Sequence, residues 1–233
     1  MPVTSRRPEA LVLFDIDGTL IRRAGPHHRE ALVEAVRRVT GAETTTEHVP
    51  VQGMLDRDIL TCMLREAGFS QAAIRRVMPE LVRKAQWIYA RRCPADLRDK
   101  VCPGVPRLLQ SLRPSGITAG LVTGNLTRIG WKKMERAGLK SYFRFGAFAE
   151  LGRTRSHLVR LALRQARQHG WLHQQTTVSL IGDHPNDIRA AKDNRVRAIA
   201  VATGLSPIEE LAAHQPDLLL RDLTSLDLSM LQR

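Results

Sequence analysis

The apolar positions of this chain follow two different patterns. Residues 10–16 form a short apolar run without alternation, which is typical of a strand covered on both faces. From about His28 to Tyr89, apolar positions recur at steps of three and four residues, and the segments that carry them stop at Gly41 or Gly68. This second stretch is predicted to be a block of helices.

Farther along the chain, strand-like and helical segments alternate. The predicted elements are a strand at 117–125, helices at 126–138 and 157–170, a strand at 177–183, a helix at 185–194 and a strand at 196–204. Repeating βα units predict a parallel sheet with helices on both faces. We therefore expect an α/β fold with a Rossmann-like core at residues 1–22 and 102–233, and an α-helical cap domain inserted at residues 23–101.

The stretch LVLFDIDGTLI, residues 11–21, has two incompatible interpretations. Asp-Gly between apolar runs is the strongest short signal for a β-hairpin, because it suits the positive φ angles of a tight turn. The same stretch could instead be one buried strand that delivers Asp15 and Asp17 to its carboxyl end, where α/β sheets bind ligands. The first interpretation gives a turn, and the second gives a reaction centre.

Three predicted strands end in short polar clusters, at residues 14–19, 122–125 and 182–187. The carboxyl ends of parallel strands meet at one edge of a sheet, so these clusters are expected to converge. The side chains brought together would be those of Asp15, Asp17, Asp183, Asp187 and Thr123. Four carboxylates so close would repel strongly unless a cation held them. The hairpin leaves this concentration of acids unexplained, so we favour the strand.

Composition adds a strongly basic balance to this picture. Lysine and arginine number 36 against 23 aspartate and glutamate residues, which gives a net charge of +13. Because the arginines are spread over helical segments, we interpret them first as a solvated surface, with an anionic partner as the alternative. Aromatic residues are only 4% of the chain, too few for a base-stacking platform, so a nucleic-acid partner is not expected.

Cysteine usage and hydropathy favour a cytoplasmic location. Cys62, Cys93 and Cys102 are odd in number and follow no metal-binding spacing, which favours a reducing compartment. The amino-terminal residues lack the apolar core of a signal peptide, and no later stretch approaches the length of a membrane span. We expect no membrane partner and either a monomer or a homodimer.

Three motifs carry a family resemblance over nearly the whole chain. DIDGT at 15–19, LVTGN at 121–125 and IGDHPNDIRAA at 181–191 resemble the first, second and fourth motifs of the haloacid dehalogenase superfamily, most closely its phosphatases of the phosphoglycolate phosphatase type. The helical cap lies between the first and second motifs, as it does in that family. The resemblance implies a phosphatase of a small phosphorylated metabolite, such as phosphoglycolate, a sugar phosphate or a nucleotide.

The resemblance also implies the chemical roles of the first motif. Asp15 would attack phosphorus and form an aspartyl-phosphate, which divides one difficult hydrolysis into two easier steps. Asp17 is two residues on, and is expected on the same side of the strand. It would protonate the leaving alcohol and then deprotonate the water that cleaves the intermediate.

Mg²⁺ is the cofactor that the resemblance implies, since this hard ion prefers carboxylate, carbonyl and phosphate oxygens. The implied metal ligands are the carboxylates of Asp15 and Asp183, the backbone carbonyl of Asp17, and Asp187 through water. The implied phosphate-binding residues are Thr123, Gly124 and Asn125.

The third motif departs from the family pattern. It normally supplies a lysine before a helix, but residues 143–163 contain none. Arg155 is the candidate to bind both phosphate and the nucleophile, and Arg153 is the second choice. An arginine can bridge two oxyanions through a rigid fork and stays charged throughout.

In the cap, His27 and His28 could reach the mouth of the site, although simple exposure is favoured. Asp56 lies in a region that resembles a substrate-contacting loop, and could equally be a helix cap. Two other functions stay open: a phosphomutase of the same superfamily, and a non-catalytic phosphate-binding regulator. Dehalogenation is disfavoured, because cleavage of a carbon–halogen bond needs no acid at the position of Asp17.

Overall fold

A parallel sheet forms the centre of the protein in the computed structural model, which describes residues 10–22 and 25–232. In that part of the chain the strands are β1 (Ala10–Phe14), β2 (Thr118–Val122), β3 (Phe145–Ala147), β4 (Thr177–Gly182), β5 (Arg197–Val201) and β6 (Leu218–Leu220). Their order is β3-β2-β1-β4-β5-β6, and all neighbours are parallel. The predicted parallel α/β class is confirmed.

The hairpin interpretation of the first motif is wrong. β1 lies between two parallel partners, with Leu13 opposite Gly120 of β2 and opposite Leu180 of β4. Beyond β1 the chain makes a compact turn in which Gly18 has a φ of 85° and its N–H donates to the carbonyl of Ile21. Asp-Gly therefore ends a central strand rather than joining two strands of a ribbon.

Helices cover both faces of the sheet. The core helices among the described residues are α4 (Val105–Leu112), α5 (Thr127–Arg136), α6 (Arg155–Gln168), α7 (Pro185–Asp193), α8 (Ile208–Ala213) and α9 (Leu228–Leu231). Side chains of β1 alternate between the two buried faces: Leu11 and Leu13 pack in the cluster that includes α6, and Val12 and Phe14 pack in the opposite cluster. The strand is therefore apolar without alternation.

Among the described residues, three α-helices follow β1 before the core helix α4. They are α1 (His27–Thr40), α2 (Asp56–Glu66) and α3 (Gln71–Arg92). α1 ends at Gly41, whose φ of 74° and N–H bond to the carbonyl of Arg37 close the helix. The predicted helical cap is present, whereas its proposed limits stay predictions; residues 1–9, 23–24 and 233, which the predicted ranges include, lie outside the described part. No helix of the described residues is long and apolar enough to cross a membrane.

Candidate active site

Three of the predicted acids meet where the sheet order reverses, between β1 and β4. Asp15 follows β1 and its N–H continues the ladder to the carbonyl of Ile181 at 3.0 Å, while Asp183 follows β4. Asp187 lies in the first turn of α7. One carboxylate oxygen from each acid lies within 4.8 Å of the others, and all three side chains are buried. This is the position at which open α/β sheets bind ligands.

Local backbone geometry holds these acids in place. Thr19 donates its hydroxyl to Asp183 Oδ1 at 3.1 Å. Asp187 accepts the N–H of His184 at 3.2 Å as part of the capping box of α7. Gly18 and Gly204 leave the space that Asp183 fills, since a Cβ on either glycine would overlap its carboxylate. The Asp183 carboxylate therefore requires glycine at positions 18 and 204.

Mutual repulsion and burial disfavour the ionised form of two members of the cluster. Burial, followed by the charges of Asp15 and Asp187, raises the pKa of Asp183 well above its usual range. Burial, reinforced by Asp15 and opposed by Arg155, raises the pKa of Asp187 to about 7. A cation among the three oxygens would relieve both effects.

Arg155 supplies one buried cation at this cluster. It is the first residue of α6, whose N-cap Thr154 accepts the N–H of His157 at 3.1 Å. Its Nη1 lies 3.1 Å from Asp15 Oδ1 and 3.0 Å from Asp187 Oδ1. Burial alone would lower the pKa of Arg155, but the two carboxylates raise it. Arg153, the second choice, is exposed.

Unfilled bonding capacity indicates that the cluster fits a hard cation. Asp15 Oδ1 and Asp187 Oδ1 are buried and, although near Arg155, make no hydrogen bond in the described structure. Buried carboxylate oxygens are suitable ligands for a divalent ion such as Mg²⁺. The residues that could hold it through their carboxylates are Asp15, Asp183 and Asp187.

Asp17 is held apart from this cluster. Its carboxylate accepts Asn125 Nδ2 at 2.8 Å and Lys133 Nζ at 2.8 and 2.6 Å. Burial would raise the pKa of Asp17, but the ammonium of Lys133, which also donates hydrogen bonds to the carboxylate, holds it below its ordinary value. The expectation that Asp15 and Asp17 share a side of the strand stays a prediction, since β1 ends at Phe14, but both residues line the same cavity. The backbone carbonyl of Asp17 remains available as a metal ligand, the role that the resemblance implies for it.

The second motif follows β2. Thr123 is fully buried and its Oγ1 accepts Asn125 Nδ2 at 2.7 Å. Both amide hydrogens of Asn125 are thus used, one on Thr123 and one on Asp17, and its backbone N–H also donates to Thr123 Oγ1 at 3.3 Å, so the predicted phosphate contact of Asn125 would have to replace one of these bonds. Gly124 allows close approach, since a Cβ there would overlap the carbonyl of Met54 and come within 3.2 Å of Arg155 Nη2.

The sequence did not identify Lys133 as a site residue, and it favoured exposure for His28. Lys133 is buried on α5, where it donates to Asn125 Oδ1 at 2.7 Å and lies 3.1 Å from His28 Nδ1. The exposure favoured for His28 is wrong, because its Nε2 contacts Asp56 Oδ2 at 3.0 Å. The available signal was the position of Lys133 within the apolar stripe of α5, beside Ile129 and Met134.

Asp56 joins the cap to the core. It begins α2, but its carboxylate accepts the N–H of Leu126 at 2.8 Å in the loop after β2, and its own N–H donates to the Gly124 carbonyl at 2.8 Å. It is therefore a bridge between the two parts of the chain and not the N-cap of α2, which is Leu55. Because Asp56 also lines the cavity over the acids, the substrate contact stays a prediction.

The cap and the core enclose a cavity of about 400 Å³ over the acids. The core side presents the acids, Thr123, Gly124 and Arg155. The cap side adds a mainly apolar wall, formed by Leu32, Val51, Met54, Ile59 and Tyr89. Exposed Arg22 and Arg29 also line the cavity. A half-open cleft of this volume suits a small ligand better than a polymer.

A Rossmann-like core with buried acids at its carboxyl edge and an inserted helical cap over them places the protein among α/β enzymes. Residues 10–194 match the family model of haloacid dehalogenase-like hydrolases. The chain therefore belongs to that hydrolase family, as its three motifs indicated.

Named relatives extend over almost the whole chain. It is 26% identical to the phosphoglycolate phosphatase of Agrobacterium fabrum over 238 residues, which are 99% of this chain and 96% of that protein. It is 24% identical to a 5'-nucleotidase of Pseudomonas aeruginosa over 217 residues, or 92% of each chain. The crystal structure of β-phosphoglucomutase from Clostridium difficile matches with a TM-score of 0.69 at 19% identity, covering 96% of this chain and 95% of that one. This last likeness shows a shared fold.

Proposed function

We propose that this enzyme is a Mg²⁺-dependent phosphatase that hydrolyses a small phosphate monoester through an aspartyl-phosphate. The observation that carries the proposal is the buried cluster of Asp15, Asp183 and Asp187, with Arg155 against it and Asp17 held separately nearby. The names of the relatives, a phosphoglycolate phosphatase and a 5'-nucleotidase, support phosphate monoesters as the substrate class.

In the first step a carboxylate oxygen of Asp15 attacks phosphorus, and the bond from phosphorus to the ester oxygen breaks. Lys133 holds Asp17 ionised while the site lacks phosphate, so Asp17 would first take up a proton from solvent as the anionic phosphate comes to lie beside it. It then gives that proton to the departing oxygen, and the leaving group departs as a neutral alcohol. In the second step water attacks the phosphorus of the aspartyl-phosphate while Asp17 takes up a proton from that water. Inorganic phosphate leaves and Asp15 is regenerated.

Charge and positioning come from the residues around the phosphoryl group. Arg155 neutralises phosphate charge from a fixed, buried position, and the Thr123 hydroxyl with the backbone at Gly124 orients the non-bridging oxygens. Mg²⁺ bound by Asp15, Asp183, Asp187 and the backbone carbonyl of Asp17 would supply further charge stabilisation.

The cap favours a small soluble substrate. A helical cap over the acids excludes bulk water and limits the size of the leaving group. A cytoplasmic location and a monomeric or dimeric state stay predictions.

Phosphate release tests the proposal directly. Purified protein is assayed with p-nitrophenyl phosphate and a panel of phosphorylated metabolites, with Mg²⁺ and after EDTA treatment. Asp15→Asn should lower the rate by roughly 10³-fold or more, since it removes the nucleophile. Acid-quenched wild-type protein should carry one phosphoryl group that Asp15→Asn protein lacks. Equal rates for the two proteins would refute the assignment of the nucleophile.

A further inference from the structure

Lys133 is an unusual member of its helix. On α5 it occupies the buried stripe, next to Ile129 and Met134, and only 2% of its side chain is exposed. Burying an ammonium is costly unless it is paired and hydrogen-bonded. The partner is Asp17, whose two carboxylate oxygens both accept from Nζ, at 2.8 and 2.6 Å. Two buried cations therefore pair with the two acids of the first motif. Arg155 pairs with Asp15, and Lys133 pairs with Asp17.

The three N–H groups of Lys133 all have partners. Besides the Asp17 carboxylate, Nζ contacts Asn125 Oδ1 at 2.7 Å and His28 Nδ1 at 3.1 Å. Because the ammonium can only donate, Nδ1 of His28 accepts. The hydrogen of the imidazole is then on Nε2, which donates to Asp56 Oδ2 at 3.0 Å. One tautomer of His28 satisfies both neighbours, and the direction of the Lys133 side chain is fixed.

This network runs from the core to the cap. His28 lies on α1 and Asp56 on α2, while Asp56 also accepts from Leu126 in the core. The edge of the Tyr89 ring packs against His28, with ring centroids 5.6 Å apart. A cap seated in this way supplies the acceptor that keeps Lys133 directed at Asp17.

We propose that Lys133 is a positioning residue that aims the carboxyl of Asp17 at the leaving oxygen of the substrate, and that His28 of the cap holds Lys133 in that direction. This inference rests on the proposed function, in which Asp17 exchanges a proton with the leaving group. A purely structural Lys133 would neutralise a partly exposed acid and stabilise the fold without affecting one substrate more than another.

Two substrates whose leaving groups differ in basicity distinguish a positioning role of Lys133 from a purely structural one. A p-nitrophenolate leaves readily without a proton, whereas an alkoxide needs one, so misdirection of Asp17 should slow alkyl esters selectively. The comparison uses kcat for p-nitrophenyl phosphate and for glycerol phosphate, in wild-type protein and in Lys133→Met. The expected loss of kcat is at least ~10-fold larger for the alkyl ester, within the usual contribution of a positioned acid. Lys133→Arg should recover part of this difference.

A matched control is the adjacent Lys132→Met. Lys132 pairs with Glu135 on the same helix, away from the network, so both rates should stay near those of wild type. His28→Leu removes the cap acceptor without emptying the lysine site and should give the same selective loss, so the proposal stays testable where Lys133→Met does not fold.

The outcomes distinguish the positioning role of Lys133 from the proposed phosphatase activity. Equal losses for both esters in Lys133→Met or His28→Leu would overturn the positioning role and leave the phosphatase intact. Wild-type protein that releases no phosphate from either ester would overturn the proposed function, and the role of Lys133 with it.

Discussion

Arg155→Met is the most direct test of how the acidic cluster is stabilised. The guanidinium of Arg155 lies 3.1 Å from Asp15 and 3.0 Å from Asp187, and all three side chains are buried. Methionine keeps an unbranched stem of similar shape but removes the charge. The variant therefore leaves two carboxylates without their cation in a site that water does not reach freely.

The loss of unfolding free energy expected for Arg155→Met depends on the burial of the ion pair and on the pKa of Asp187. Removing one member of a buried ion pair costs roughly 3–5 kcal/mol of unfolding free energy, because the remaining charge is uncompensated. Burial already raises the pKa of Asp187 to about 7, so its carboxyl can take up a proton instead. A raised pKa favours the folded state while the carboxyl is protonated, and this contribution is lost as the pH rises through about 7.

We therefore expect a loss of about 3–5 kcal/mol near pH ~8, and a loss smaller by at least ~1 kcal/mol near pH ~6. The measurement is urea unfolding followed by circular dichroism, in EDTA so that no divalent ion takes over the role of the arginine. Arg153→Met is the control, since that exposed side chain should cost less than about 0.5 kcal/mol. A loss below about 1 kcal/mol for Arg155→Met, or the same loss at both pH values, would show that the charge of Arg155 does not stabilise the acidic cluster.

Three other outcomes are expected. Mg²⁺ should raise the melting temperature more above neutral pH than at acidic pH, because protons compete for Asp183 and Asp187, whose pKa values are raised; calorimetry with and without EDTA checks this. Gly204→Ala should weaken Mg²⁺ binding at least ~10-fold in a calorimetric titration, since the new Cβ overlaps the Asp183 carboxylate. Asp56→Ala should lower the unfolding free energy by about 1–3 kcal/mol in urea, because the Leu126 N–H loses its acceptor, while Asp56→Asn should retain part of that bond.

The sheet could be predicted from the sequence because its central strands are long enough to be recognised as apolar runs. β1 and β4 are runs of five and six residues that end directly before Asp15 and Asp183, so strand ends and acids could be located together. β3 and β6 have three residues each, which is too few for a periodicity, and they were not predicted. Their place at the edges of the sheet depends on the strands already assembled.

Tertiary contacts determined the features that the sequence did not predict. A lysine on a helix is normally solvated, so nothing in the residues next to Lys133 identifies its partner Asp17, which is 116 positions away. His28 likewise looks exposed until α1 and α2 bring it against Asp56. The absence of a lysine in the third motif was visible, but only folding shows that Arg155, the first residue of α6, reaches the acids.

The two acids of the first motif are separated by the way their strand ends. Asp15 keeps the parity of Leu11 and Leu13, on the face of the sheet covered by α6, and α6 supplies Arg155. Asp17 lies directly before the turn at Gly18 and pairs with Lys133 of α5 instead. Because each carboxylate has a cation from a different helix, neither acid competes with the other for its partner. The two acids proposed as nucleophile and proton donor thus lie two residues apart, each with its own cation.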